Sequence, residues 1–190
     1  MAEHAEGEVV VDEELDAEEQ VRRQLALAQI RQYPDPVLRM TAREVTEFDD
    51  ELVALATRMK QLMHDAHGVG LAGNQVGILR RLFVFQRAED DVVAVVNPVL
   101  ERGSETEVDE EGCLSMQGVR IPVERATTVT LTGKDERGKD LRLELEGLPA
   151  RVTQHELDHL DGTLIVDRTD AESRKQALAI LRPQPVLTAG

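Results

Sequence analysis

The sequence predicts an α+β fold: mixed or antiparallel sheets packed around a central HExxH helix, with a further helix near the C-terminus. Three observations carry this. Strand-like segments are grouped between residues 81 and 146 and do not alternate with helices. A long amphipathic helical pattern precedes the group and a second helical segment follows it. Polar turn clusters separate the strand-like segments at hairpin lengths.

In chain order, residues 1–16 read as disordered, because acidic side chains dominate and apolar area is too small to offset ordering entropy. Glu18 to Ile30, with Val21, Leu25 and Leu27, reads as a helix. Tyr33-Pro34-Asp35-Pro36 is extended or a turn, since each proline disfavours helix in the residue before it. From Asp49 to Ala66, Leu52, Leu55, Met59, Leu62, Met63 and Ala66 recur at spacings of three and four, with Asp49 or Asp50 placed to cap the start. A glycine-rich stretch, Gly68 to Gly77, follows. Arg81–Gln86 and Asp91–Val96 read as strands. Thr127–Thr132 and Asp140–Glu146 form a hairpin around residues 134–138. Leu148-Pro149 opens a helix to about Leu160, stopped by Asp161-Gly162. Leu164–Val166 reads as a short strand, and Asp170 caps a last helix that ends before Pro183.

The chain of 190 residues suits one domain, and its hydrophobic fraction of 41% suits a globular core built without Trp. We divide it into an acidic tail at 1–20, a catalytic domain at 21–183 and a C-terminal tail at 184–190. The net charge is −15, but residues 1–20 hold nine acidic side chains and no Lys or Arg, leaving −6 for the rest. Without clustered Lys and Arg, specific nucleic-acid binding is not expected. No window has the apolar length of a membrane span, and the acidic N-terminus lacks the order of a secretion signal. Cys113 is the one cysteine, so an intramolecular disulfide is excluded. A cytoplasmic location is the expectation.

His155-Glu156-Leu157-Asp158-His159 is the first chemical signal. Residues four apart share a helix face, so both imidazoles can reach one ion, and Glu156 can take a proton from water beside it. A catalytic zinc-type site needs a third protein ligand. Gly162 fits the spacing of one protease pattern, but Ile165 stands where that pattern needs a third His. Glu172 is an acidic candidate thirteen residues after His159. The remaining candidate is Cys113 in Glu111-Gly112-Cys113-Leu114-Ser115, although a lone cysteine is most often a buried apolar residue. The third signal is Gly68-Val69-Gly70-Leu71-Ala72-Gly73-Asn74-Gln75. It lacks the Lys-Ser/Thr ending of a phosphate-binding loop, while Gln75 offers a neutral amide donor of the kind that stabilises an oxyanion.

Together GVGLAGNQ at 68–75, EGCLS at 111–115 and QHELDH at 154–159 resemble, in order, the three motifs of the peptide deformylases. The resemblance extends over roughly Ile30 to Arg168 and takes in Tyr33–Arg39, Asn97-Pro98 and His159-Leu160-Asp161-Gly162. It implies removal of the formyl group from N-formylmethionyl peptides, with release of formate. It implies Cys113, His155 and His159 as ligands of one divalent metal, usually Fe(II), with Zn(II), Ni(II) or Co(II) able to substitute. Glu156 would be the acid/base, and Gln75 with the backbone N–H of Leu114 would bind the formyl oxygen. Val69, Gly70 and Glu111 would contact the substrate or shape its site, and Val69, Leu114 and Val152 would line the methionine pocket. Transient contact with the ribosome and a monomeric state are further expectations. The sequence departs from the family pattern at Gly73, where Ala is usual, and at Gln117, where Pro is usual. Two rivals are an HExxH endopeptidase with another third ligand and a binding protein with a structural metal.

Overall fold

The computed structural model describes residues 15–182. Most of the acidic tail, residues 1–14, and the segment 183–190 lie outside the described residues, and with them the expectation of disorder. Residues 17–20, counted with the tail above, instead form the first turn of α1 (Ala17–Leu27). Asp16 explains this: its side chain accepts from the N–H groups of Glu18 and Glu19, and Glu19 returns the bond to the Asp16 backbone.

The remaining elements are α2 (Asp50–Asp65), β1 (Gly70–Ala72), β2 (Leu82–Ala88), β3 (Asp91–Arg102), β4 (Thr106–Gly112), β5 (Arg120–Ala126), β6 (Thr128–Lys134), β7 (Asp140–Glu146), α3 (Gly147–Leu160) and α4 (Ala171–Ile180). Asp49 caps α2 through Leu52 N–H, and Asp170 caps α4 through Glu172 and Ser173. Strands β1-β2-β3-β6-β7 form one antiparallel sheet in that order, and β4 with β5 forms a separate two-stranded sheet.

Alternation along β2 sets the layers. Leu82 and Val84 face a core with α1 and α2, shared with Leu52, Met59 and Met63. Phe83 and Phe85 face the other way, into a core with α3, Val129 and Leu131. A sheet covered on both faces needs apolar side chains on both, hence the uninterrupted Leu-Phe-Val-Phe run. A third core joins β5, Leu38, Leu164–Val166 and Ala177 of α4. The result is α+β as expected, with α3 buried between the two sheets along nearly its whole length.

One local expectation is corrected, and three strand features go beyond what the sequence predicts. Leu164–Val166 is not a strand: Ile165–Asp167 forms a 3-10 turn whose Asp167 carboxylate accepts from Leu164 N–H at 2.9 Å. Its apolar residues are buried by packing, and none of them is paired with a strand. The glycine-rich stretch contains β1, which pairs with β2. β3 continues past Val96 to Arg102 through a register shift between Val96 and Val99, where Asn97 takes a φ of 51° and Pro98 is tolerated. The β4–β5 hairpin was not expected at all, because Thr106–Gly112 is acidic and mostly exposed and lacks an apolar face.

A candidate metal centre

α3 brings His155 and His159 onto one face, one helical turn apart. The β4–β5 hairpin brings Cys113 to them from the end of β4. Cys113 Sγ lies 3.3 Å from His159 Nε2, and His159 Nε2 lies 3.2 Å from His155 Nε2. One ligand atom from each residue falls within 4.8 Å of the others. A tetrahedral ion with nitrogen ligands at ~2.05 Å and sulfur at ~2.3 Å holds neighbouring ligand atoms ~3.3–3.6 Å apart, so these residues fit a divalent metal. Glu172, the alternative third ligand, is an exposed residue of the first turn of α4 and is not among them.

The surrounding residues orient this triad. His155 Nδ1 is 3.0 Å from Glu111 Oε2, the arrangement that leaves Nε2 to present its lone pair to an ion. Glu111 in turn accepts from Arg125 Nε at 2.9 Å and Nη2 at 3.0 Å, and from Arg151 Nη1 at 2.9 Å. Arg125 reaches on to Asp158 at 2.6 Å, and Asp158 also receives Arg168. Burial would raise the Glu111 carboxyl, but the hydrogen bonds from His155 and Arg125 overcome it and hold it well below the usual carboxylate range. Glu111 is thus engaged by protein partners on both carboxylate oxygens. Burial pushes the His159 imidazole well below its ordinary value, favouring the neutral, ligating form.

Glu156 is 3% exposed, and its Oε2 has no hydrogen-bond partner among the described residues. Burial pushes its carboxyl up to about 7. Gly70 lets the backbone of β1 pass against this carboxylate: a β-carbon at Gly70 would stand 2.3 Å from Glu156 Oε1. Gln75 is anchored by Oε1, which accepts from Ala72 N–H at 2.8 Å. Its Nε2 is thereby aimed at Ser115 Oγ, 3.1 Å away, and at Cys113 Sγ, 3.7 Å away.

These groups face one cavity of about 460 Å³. Val69, Gly70, Gln75, Glu111, Cys113, Leu114, His155 and Glu156 all line it, and His159 lies beneath, 1% exposed. Val152 and Leu148 add apolar wall. The two departures are also located. Gly73 packs so closely that a β-carbon would meet Ile78 O at 2.7 Å and Arg80 O at 2.8 Å, while Gln117 is exposed at the cavity wall.

A family model described as polypeptide deformylase matches residues 27–175. The chain belongs to the peptide deformylase family. It is 45% identical to peptide deformylase 1 of Corynebacterium efficiens over 162 residues, 83% of this chain and 96% of that relative. It is 47% identical to the peptide deformylase of Thermotoga maritima over 146 residues, 76% of this chain and 88% of that protein. Among solved structures, that of a Legionella pneumophila peptide deformylase superposes with a TM-score of 0.76 at 38% identity, covering 80% of this chain and 91% of the other. The endopeptidase and structural-metal rivals are set aside by this membership. No helix among the described residues is long and apolar enough to cross a membrane.

Sequence reasoning missed several residues around this deformylase-family cleft. Arg125, Arg151, Asp158 and Arg168 form the charged scaffold behind Glu111 and α3. Gln154 ties α3 to β5, donating to Ala126 O at 2.9 Å and accepting from Ala126 N–H at 3.1 Å. Gln154 and Asp158 stood inside the QHELDH motif, which was the available signal; nothing local marks Arg125, whose role depends on the unforeseen hairpin.

Proposed function

We propose that this chain hydrolyses the formyl amide of N-formylmethionyl peptides, using one divalent metal held by Cys113, His155 and His159. The single observation that carries the reading is the approach of one sulfur and two imidazole nitrogens beside a buried carboxylate and a fixed amide donor. Bound there, a divalent ion supplies Lewis acidity and lowers the pKa of a coordinated water toward neutrality. Family resemblance points to Fe(II) as the native metal, while the Cys/His/His donor set by itself equally suits Zn(II), and Zn(II), Ni(II) or Co(II) would serve as substitutes.

The residues divide the work. Glu156 takes the proton from the attacking water, whose oxygen adds to the formyl carbon. Gln75 Nε2 and the backbone N–H of Leu114 receive the charge that develops on the formyl oxygen. Glu156 then delivers its proton to the departing nitrogen as the carbon–nitrogen bond breaks, leaving formate and a free methionyl amine. The upward shift of the Glu156 carboxyl suits both directions of transfer near neutral pH. Val69, Leu114 and Val152 supply the apolar wall for the methionine side chain. Formate release from formyl-Met-Ala-Ser by anaerobically purified protein, with metal content measured on the same sample, tests the reading. Stoichiometric formate and peptide amine are expected; no formate from a metal-loaded, folded sample would reject it.

A further inference from the structure

The two donors that the proposed reaction aims at the formyl oxygen stand on different parts of the chain. Gln75 belongs to the short 3-10 turn after β1, and Leu114 lies in the connection between β4 and β5. They serve one oxygen only if these two segments keep a fixed register. β4 and β5 form a sheet of their own, separate from the one that holds β1. The segment after α1 bridges the gap. Three successive residues reach across: Arg31 N–H donates to Gln75 O at 2.7 Å, Gln32 Nε2 to Leu114 O at 3.0 Å and Tyr33 N–H to Ser115 O at 2.8 Å. Ile30, 3% exposed, roots this segment in the core that α1 and α2 share.

The direction of Leu114 N–H is a matter of peptide planes. Met116 N–H donates to Cys113 O at 2.9 Å, closing a turn over Cys113–Met116. In a trans peptide, Leu114 N–H points opposite to Cys113 O, so this bond orients the donor. The next plane of the turn carries Leu114 O, which Gln32 holds, and the one after it carries Ser115 O, which Tyr33 N–H holds. Of the three bridging residues, only Gln32 acts through its side chain. Its amide also donates to Ile30 O at 3.2 Å, so it cannot swing away without losing both bonds. Gln32 is not part of the cavity wall, so it reaches the reaction through Leu114 and not by touching substrate. Resting on the deformylase reading, we propose that Gln32 is a positioning residue that keeps Leu114 N–H in register with Gln75 Nε2, so that both donors meet the same formyl oxygen. Without it, the turn keeps its Met116 and Tyr33 bonds but loses the tie at its centre, and a donor slightly out of place stabilises the developing charge less.

The test measures kcat and KM for formyl-Met-Ala-Ser and for its thioformyl analogue on one metal-loaded preparation of each protein. Gln32→Met, similar in length and without a donor, should lower kcat for the formyl peptide about three- to tenfold, with KM and metal content unchanged. Sulfur accepts hydrogen bonds more weakly than oxygen, so the thioformyl peptide draws less on the two donors and its kcat should fall less. The formyl-to-thioformyl ratio of kcat should therefore drop in Gln32→Met. Gln32→Glu keeps the shape but sets a carboxylate oxygen against Leu114 O, and its ratio should drop at least as far. A loss of folded protein lowers both rates alike and cancels in the ratio. A wild-type ratio in both variants overturns the proposal, as does a loss that appears only as a raised KM or as missing metal, while formate from wild type leaves the deformylase reading standing. No formate from metal-loaded wild type would overturn that reading and this inference with it.

Discussion

Gln75 has one end of its amide fixed by the Ala72 backbone, so the other end can only point toward Cys113 and Ser115. A donor held in place before reaction costs no reorganisation when charge appears on the substrate. Gln75→Ala is therefore expected to keep its metal and lose ~10²–10³-fold in kcat. Unchanged kcat/KM with full metal content would remove Gln75 from the chemistry. Gly70 presents the opposite case, in which a side chain would be added. Its β-carbon would meet Glu156 Oε1 at 2.3 Å, the end of a side chain that can turn aside, and Val152 Cγ1 at 2.8 Å, which belongs to a β-branched residue held to one rotamer in α3. Gly70→Ala should therefore cost ~1–3 kcal/mol of stability while displacing Glu156, and kcat of the folded protein should fall ~10²-fold for a shift of about 1 Å. An active variant with wild-type kcat would show that the Glu156 position is not critical.

At the scale of elements, the β4–β5 hairpin and α3 are joined by Arg125, which is 5% exposed and bonds Glu111 on one element and Asp158 on the other. Removing one member of such a buried set leaves the others charged and unpaired. Arg125→Ala should destabilise by ~3–5 kcal/mol in urea unfolding. It should also weaken metal binding by ~10–100-fold, because Glu111 then loses the partner that orients it on His155. Wild-type stability and affinity would mean that the ion pairs are bystanders. The hairpin also marks where the sequence was least legible. α2, α4 and the β6–β7 pair could be read because capping aspartates, 3.6-residue spacing and a Gly-containing turn are local signals. β4 could not, because Glu110 and Glu111 follow no apolar alternation, and Glu111 is buried only by charge pairing with residues far along the chain. The candidate site was legible for a related reason: His155, Glu156 and His159 lie within about one helical turn, whereas the scaffold of Arg125, Arg151 and Arg168 exists only after β5 and α3 meet.

For the molecule as a whole, the proposed ion would join parts that the hydrophobic cores bring together only indirectly. Cys113 stands in the connection between β4 and β5 of a separate two-stranded sheet, while both histidines stand on the helix packed beneath the five-stranded sheet. A ligand bound only by the folded state stabilises by mass action, ~2.7 kcal/mol at one hundred times Kd. Chelation should accordingly lower the melting temperature of the loaded protein by several degrees, and an unchanged transition in a sample shown to have lost its metal would contradict that linkage. The most direct measurement of the central claim is an anaerobic Co(II) titration of the metal-free protein, followed by its visible and near-ultraviolet spectrum. The account predicts one equivalent bound with a thiolate-to-cobalt charge-transfer band, and loss of that band in Cys113→Ser. Stoichiometric binding without the band, or an identical spectrum in Cys113→Ser, would contradict it.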